Sequence, residues 1–401
     1  MNRDRDTMRP RRALIACANH YESAIQVGDH HIARGLVAAG FRVAFIANPI
    51  SPLHAARAHA PEIRDRFRSF RRGGRRHLEG ALWSYVPGAL APPREQPLLR
   101  SERFQRGWHR LTLPNLVGRV RREGFGEVDL LYIREPRQAF WLDEIRFGRS
   151  VFRLADRDSG FAAHGPSARR LEESVASRVD LLAYTASTLA GHAEALKPKD
   201  RLHLPNGVDF AHFAAAPREA PAEYREIPRP IAVYAGSLDH WFDYELLEGG
   251  AESLRDVSFV LIGPTGRVPP RLRRQANVHL LGPRPYRRLP AYLRHADVDI
   301  IPFDASGQAD LVASVNPLKL YEYLACGLPV VAARWEELQR LGSPARLYRG
   351  REEFVECLRA ALRDPGPPEE RIAFARGHDW GQRVRALLQA LDLEAVCGGR
   401  G

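Results

Sequence analysis

The chain has 401 residues, of which 44% are hydrophobic, and its formal net charge is +12 at pH 7. This length exceeds that of a usual single domain, so we expect two domains with sizeable cores. No apolar run is long enough to cross a bilayer, and the charged N-terminus passes too quickly through a short apolar stretch to be a signal peptide. Four cysteines without metal-ligand spacing indicate a reducing compartment, so we expect a cytoplasmic protein.

Apolar strands alternate with helices through the first half of the chain. The predicted strands are residues 13–18, 41–47, 128–133, 150–156 and 178–185, and helices are predicted at 30–40 and from Ser187 onward. Strands that are apolar throughout are typical of a parallel sheet covered by helices on both faces.

The second half repeats this alternation after a proline-rich polar stretch at 217–230. The predicted strands are 231–235, 257–263, 278–282, 298–302 and 328–333, and the predicted helices are 243–254, 287–296, 317–326, 351–363 and the amphipathic 379–391, where Asp379 fits an N-cap. We predict two doubly wound parallel-sheet domains, 1–210 and 211–376 with a linker near 211–230, followed by a C-terminal segment, 377–401.

The most informative stretch runs from Ser314 to Val331, where a polar loop leads into a short helix, a Gly-Leu-Pro break and two valines. Lys319 and Glu322 share one face near the start of this helix. A helix N-terminus and a lysine suit a phosphate, and a carboxylate one turn later suits ribose hydroxyls. The pattern therefore fits a nucleoside diphosphate, although a surface ion pair on an ordinary helix has the same spacing.

The pattern Pro-x-Lys-x-x-Glu-Tyr-x-Ala-x-Gly-x-Pro-Val-Val, from Pro317 to Val331, strongly resembles the donor-site motif of GT-B glycosyltransferases. Two further segments match in the expected order: LeuProAsnGlyValAsp (204–209), which resembles the interdomain segment, and AlaValTyrAlaGlySerLeu (232–238), which resembles the first strand and loop of the donor domain. The resemblance implies a GT-B fold of two Rossmann-like domains facing a cleft. It also implies that the C-terminal helix packs back on the first domain.

The resemblance implies a donor site for a nucleotide diphosphate sugar, most readily a UDP-sugar, with no cofactor. Lys319 and the backbone around Gly236, Ser237 and Leu238 would hold the diphosphate, although a tight turn would also explain these small residues. The remaining donor candidates are Tyr321 and Glu322 at the ribose, Pro283 and Arg284 at the nucleotide base, and Ser314 and Asn316 in the loop before the helix.

Ser314 lies eight positions before Glu322, where many retaining members of these families carry a glutamate. Its identity therefore favours an inverting reaction, which needs a base to take the acceptor proton.

PheArgLeuAlaAspArgAspSerGly (152–160) resembles the strand end that carries the base in bacterial inverting glucuronosyltransferases of xanthan-type polysaccharide synthesis. Asp156 aligns with that base, and Asp158 is its rival; a capping or turn aspartate is the alternative for both. Arg153 and His31 are candidates for contacting the acceptor or a phosphate. His31 could equally be an ordinary helix-surface histidine.

Arginines surround Phe67 and Phe70 in the basic segment 64–77. Such a pattern suits an anionic membrane surface, which would place the protein peripherally on the inner face of the plasma membrane. A solvated loop or a nucleic-acid contact are the alternatives, but no nucleic-acid-binding motif accompanies the charge, so we expect no nucleic-acid partner.

Asp297-Val298-Asp299 spells the Asp-x-Asp string of metal-dependent glycosyltransferases, but it begins a predicted strand, so we expect a structural role and no metal. We therefore predict a metal-independent, inverting glycosyltransferase that moves a sugar from a nucleotide sugar to a glycan or lipid-linked acceptor in polysaccharide or glycoconjugate biosynthesis. A sugar-nucleotide epimerase of the same fold and a non-catalytic nucleotide-binding protein are the alternatives.

Overall fold

The computed structural model describes residues 9–57, 60–93, 101–155, 166–215 and 219–394. These residues form two α/β units, each built on one sheet. In the described residues, no helix combines the length and the apolar character needed to cross a membrane.

The first sheet has eight strands in the order β3-β4-β2-β1-β5-β6-β7-β8, and every neighbouring pair is parallel except β3 and β4. The strands are β1 Arg12–Ala16, β2 Arg42–Ile46, β3 Arg75–His77, β4 Leu82–Tyr85, β5 Glu127–Ile133, β6 Arg146–Leu154, β7 Leu181–Tyr184 and β8 Arg201–His203.

The second sheet has six parallel strands in the order β11-β10-β9-β12-β13-β14. They are β9 Ile231–Ala235, β10 Ser258–Ile262, β11 Val278–Leu280, β12 Val298–Ile301, β13 Val330–Ala333 and β14 Arg346–Tyr348.

Helices connect these strands. Those before the second sheet in the chain are α1 Gly28–Ala38, α2 Pro61–Arg71, α3 Glu102–Gly107, α4 Leu116–Val120, α5 Trp141–Glu144, α6 Pro166–Ala176, α7 Ala190–Ala195 and α8 Phe210–Ala214, the last of which packs against α11 and α13. Those between and after the strands of the second sheet are α9 Tyr244–Ser253, α10 Pro270–Arg273, α11 Leu289–Arg294, α12 Ala309–Val312, α13 Leu318–Ala325, α14 Glu336–Arg340, α15 Gly350–Arg363, α16 Pro368–Arg376 and α17 Trp380–Ala390.

Both faces of the first sheet are buried, because successive side chains of a strand point to opposite faces. In β1, Ala13 and Ile15 pack on the side of α1 and α17, whereas Leu14 and Ala16 pack into the cluster on the other face. The continuous apolar strands of the sequence therefore become central strands of a doubly covered sheet, as predicted.

The last helix, α17, packs against α1 of the first unit. The Asp379 side chain caps it by accepting a hydrogen bond from the Gly381 N–H, and Trp380 and Val384 join the core that contains β1 and β2. The predicted cap and the return of this helix to the first unit are both present in the structure.

Every strand predicted from the sequence overlaps an observed one, and the α/β class is confirmed. The short strands β3, β4, β8 and β14 were not predicted, because three of them have only three residues and carry arginine at exposed positions. The numerical domain boundaries stay a prediction.

Candidate active site in the cleft between the two sheets

A cavity of about 690 Å³ lies between the two units, at the carboxyl ends of both sets of parallel strands. Ligand sites of open α/β sheets form at this edge, and the volume suits a small-molecule substrate. The first unit contributes residues that follow β1, β5 and β6, together with part of α6; the second contributes Trp241, Phe303 and the start of α13.

Lys319 lines this cavity from the first turn of α13. Its Nζ lies 5.2 Å from the centroid of the Tyr234 ring and 5.3 Å from that of Phe303, so two aromatic faces hold the ammonium. A Cβ at Gly236 would lie 2.5 Å from Lys319 Cε. With a larger residue at position 236, the Lys319 amine would have to move away from the end of β9.

Lys319 and Glu322 are both partly buried and influence each other. Burial lowers the pKa of the Lys319 amine, and the Glu322 carboxylate opposes that shift. Burial likewise raises the pKa of Glu322, and Lys319 opposes it. A cation shielded from solvent at a cavity wall is well suited to an anionic ligand, because the attraction is screened less than in water.

A hydrogen-bond network joins the two units beneath the cavity. Asn316 Oδ1 accepts from the Asn206 N–H at 3.1 Å, and the Asn206 side chain donates to the Asn316 carbonyl at 2.6 Å. Arg153 extends the network, since its Nη2 donates to Asn206 Oδ1 at 2.6 Å. These asparagines fix the loop that precedes Lys319 to the wall of the first unit.

Arg153 is 1% exposed and sits under the N-terminus of α1. Its Nη1 lies 3.6 Å from Asp29 Oδ1, which also accepts a hydrogen bond from the Tyr132 hydroxyl at 2.9 Å. A Cβ at Gly28 would lie 2.2 Å from Arg153 Nη1, so only glycine leaves room for the guanidinium. Arg153 thus pairs with Asp29 and also lines the cavity, and its contact with the acceptor or a phosphate stays a prediction.

Glu337 on α14 forms a second connection between the units. Its Oε2 accepts hydrogen bonds from the Ser187 hydroxyl at 2.7 Å and the Thr188 N–H at 3.2 Å, and its Oε1 accepts from Asn316 Nδ2 at 3.1 Å. Three donors therefore converge on one carboxylate that is 1% exposed.

Comparisons with known proteins agree with this architecture. The family model described as "Glucuronosyltransferase GumK, N-terminal domain" matches residues 15–185, and the model described as "Glycosyl transferase-like" matches residues 245–389. Among solved structures, Anabaena HepE in complex with UDP-glucose superposes with a TM-score of 0.65 at 15% identity, covering 94% of this chain and 100% of that one. The chain has the GT-B fold of glycosyltransferases.

Two further relatives of this GT-B chain are informative. Sucrose-phosphate synthase from Thermosynechococcus elongatus superposes with a TM-score of 0.63 at 17% identity, covering 96% of this chain and 97% of that one. The putative teichuronic acid biosynthesis glycosyltransferase TuaH of Bacillus subtilis is 27% identical over 207 residues, 48% of this chain and 51% of the relative. That match thus spans about half the length of the curated relative.

In the GT-B cleft, three predicted donor residues, Gly236, Ser237 and Leu238, make structural contacts. The Gly236 N–H already donates to the Ile262 carbonyl at 2.8 Å, and Leu238 is buried in the core of the second unit. Ser237 contributes its carbonyl to the Tyr234 hydroxyl at 2.8 Å. The Gly236 amide is therefore occupied, and a diphosphate contact by the amides that follow Gly236 and Ser237 stays a prediction.

The structure does not bring Pro283 and Arg284 to the cavity. Arg284 Nη2 pairs with Glu223 at 3.1 Å, and its Nε donates to the Tyr292 hydroxyl at 2.9 Å. The prediction of a base contact by Arg284 is therefore not supported by its side-chain position.

Tyr321, Ser314 and His31 are packed side chains. Tyr321 is fully buried and donates its hydroxyl to Asn316 Oδ1 at 2.9 Å, which corrects its predicted place beside the ribose. Ser314 is also buried. His31 stacks on Trp380 at 5.1 Å between ring centroids, and burial holds its pKa well below the usual range, so it does not line the cavity.

Asp156 and Asp158, the two candidates for the catalytic base, lie outside the described residues. The residue before them, Ala155, lines the cavity, as does Arg153.

In the Asp-x-Asp string, Asp297 directly precedes β12 and Asp299 lies within it. Asp297 accepts from the Ile231 N–H at 2.7 Å and pairs with Arg229, while Asp299 is fully buried, which raises the pKa of its carboxyl well above the usual range. Within the described ranges, no three His, Cys, Asp or Glu side chains are grouped so that they could hold a metal ion. Independence from metal stays a prediction.

Sequence reasoning missed Asp29, Asn206, Glu172 and Glu337. Asn206 lies inside the LeuProAsnGlyValAsp segment that resembles the interdomain region. ArgGluProArg (134–137), directly after β5, lines the cavity as well, and polar residues in such a loop are a signal of ligand binding. No local signal marks Glu337, because two of its partners, Ser187 and Thr188, lie about 150 residues earlier in the chain.

Proposed function

We propose that the chain is a glycosyltransferase that transfers a sugar from a UDP-sugar to a glycan or lipid-linked acceptor in cell-surface polysaccharide biosynthesis. The observation that carries this proposal is Lys319, a partly buried cation at the wall of the cleft that forms no ion pair in the described part of the chain. A diphosphate leaving group needs such a charge, because negative charge develops on it during transfer.

The similarity to relatives supports the donor and acceptor classes. The matching family model is named for a glucuronosyltransferase, TuaH for teichuronic acid biosynthesis, and the HepE structure contains UDP-glucose. Each of these names concerns the relative, and together they favour a UDP-sugar donor and a polysaccharide product for this chain.

Thermal stabilisation by UDP and UDP-glucose tests the donor site. A ligand that binds the folded state raises its melting temperature, and we expect the rise to be lost in Lys319→Ala, because removing a charged hydrogen-bond partner weakens binding roughly 10- to 100-fold. Lys199→Ala is the matched control, since Lys199 pairs with Asp180 on the exposed surface. Equal stabilisation of both variants would show that Lys319 does not contribute to the donor site.

We further propose Asp156 as the base of an inverting reaction. A variant that lacks a general base loses about 10²- to 10⁴-fold in rate. We therefore expect Asp156→Asn to lose sugar transfer and to keep stabilisation by UDP. An epimerase would instead convert the UDP-sugar without any acceptor, and a non-catalytic binding protein would be indifferent to the substitution.

A further inference from the structure

Glu172 on α6 lines the cleft cavity on the side of the first unit, and Lys319 lines it from the second. Glu172 is only 5% exposed. Its Oε2 is within hydrogen-bond distance, 3.1 Å, of His192 Nε2. Its Oε1 is buried and has no hydrogen-bond partner among the residues that the structure describes.

An unpartnered carboxylate oxygen in a buried position is costly, because it has lost water without gaining a donor. Glu337, which also lies between the units, has both oxygens bonded, whereas Glu172 at the cavity wall has one. The orphan oxygen of Glu172 belongs to a side chain at the cavity wall, so a ligand in the cavity could supply the missing donor.

An ionised carboxylate only accepts hydrogen bonds, which restricts its ligand to a donor. Leu171, the residue before Glu172 on α6, and Ala155, which follows β6, are apolar and also line the cavity. A sugar ring presents hydroxyl donors beside apolar C–H surface, so it fits both kinds of lining residue. A nucleotide diphosphate is anionic, and the Lys319 side of the cleft suits it better than a carboxylate does.

We propose that Glu172 binds the acceptor sugar, with Oε1 accepting a hydrogen bond from a sugar hydroxyl. This inference rests on the proposed function and assigns the acceptor subsite to the α6 wall of the cleft. His192 occupies the other carboxylate oxygen, so a single oxygen is left for the sugar.

Glu172→Gln tests this subsite with nearly unchanged side-chain volume, and Glu173→Gln is the matched control. Glu173 is the next residue of α6, and its partly exposed carboxylate pairs with Arg169. The assay uses UDP-glucose with a panel of octyl glycosides as acceptors. For Glu172→Gln we expect the acceptor KM to rise about 10- to 100-fold, with the donor KM and the stabilisation by UDP unchanged. Glu173→Gln should leave all three unchanged.

Binding of the same octyl glycosides, measured by saturation-transfer NMR, keeps this test separate from that of transfer activity. If UDP stabilises the chain and no octyl glycoside binds, the sugar subsite is wrong, although the donor site stands. An unchanged acceptor KM in Glu172→Gln, or glycoside binding that both variants retain equally, also overturns the proposal. If UDP does not bind but octyl glycosides do, and Glu172→Gln alone loses them, the subsite stands and the proposed transfer from a UDP-sugar fails.

Discussion

Single glycines decide how closely two cations approach the backbone around the cleft. Gly236 admits the Lys319 amine at the end of β9, and Gly28 admits the Arg153 guanidinium beneath α1. At either position a Cβ would lie well inside van der Waals contact with the side chain, so the cation would have to move. The location of positive charge in this cleft thus depends on the absence of two methyl groups.

Glu22 is the residue with the clearest consequence for stability. Burial alone would raise the pKa of its carboxyl, but hydrogen bonds with His77 and Ser84, at 3.0 and 2.8 Å, outweigh burial and hold the pKa at about 2. The ordinary value is 4.5. The carboxylate therefore ties the loop before α1 to β3 and β4 at neutral pH.

Because the pKa of Glu22 is lower in the folded state, its stabilisation is complete above pH 4.5 and is lost as the pH falls towards 2. We expect Glu22→Gln to lower the unfolding free energy by about 3 kcal/mol at pH 7. The difference from wild type should shrink steadily below pH 4.5 in denaturant titrations. Glu252→Gln, at an exposed position on α9, is the control. A difference that is the same at pH 7 and pH 3 would contradict this account.

Among the elements, α14 connects the two units through the Glu337 side chain. Glu337 receives donors from Ser187 and Thr188 of the first unit and from Asn316 of the second. Because Asn316 also bonds Asn206, the two connections form one continuous network. Buried hydrogen bonds therefore fix the position of the loop before α13 against the first unit.

We expect Glu337→Ala to destabilise the protein by roughly 3 kcal/mol, because three buried donors lose their acceptor. The neighbouring Glu336→Ala should cost about 0.5 kcal/mol or less, since Glu336 forms only an exposed pair with Arg340 along the same helix. Chemical denaturation of both variants measures the two free energies of unfolding. Similar small losses would mean that the units are held by other contacts.

On the scale of the whole molecule, part of the basic charge lies exposed on α2. Arg64, Arg68 and Arg71 are exposed on α2, whereas Phe67 and Phe70 pack inward against a small cluster formed by Ala47, Ile50 and Val86. The predicted role of the phenylalanines as membrane anchors is therefore corrected. Phe70 packs against Gly88, in the segment that leads to the exposed leucines.

Those leucines are Leu90, 66% exposed, and Leu113, 71% exposed, and their segments pair through Ala89 and Thr112. Exposed leucines and exposed arginines on the same unit suit an anionic bilayer surface, because apolar insertion and charge attraction act together. Membrane association at this surface is our proposal.

We expect the protein to co-sediment with vesicles containing 30% phosphatidylglycerol at low salt and to detach as salt rises, because salt screens the attraction. Leu90→Ser combined with Leu113→Ser should weaken this binding markedly, with an unchanged melting temperature. Ile25→Ser, at another exposed apolar position, should bind as wild type does. Equal binding to vesicles without anionic lipid would argue against an electrostatic contribution to membrane binding. Equal binding by all variants would exclude a contribution of Leu90 and Leu113 to it.

The sequence by itself determined the two sheets, the helix that carries Lys319 and Glu322, and the cap at Asp379. These features depend on contiguous residues, since apolar runs, helix spacing and capping are local in the chain. Only the tertiary structure decided that Arg153 bonds Asn206, that Glu337 bonds Ser187, and that Arg284 turns towards Glu223. Each of these pairs lies more than 50 residues apart in the chain, and polar side chains take the partner that folding brings within reach.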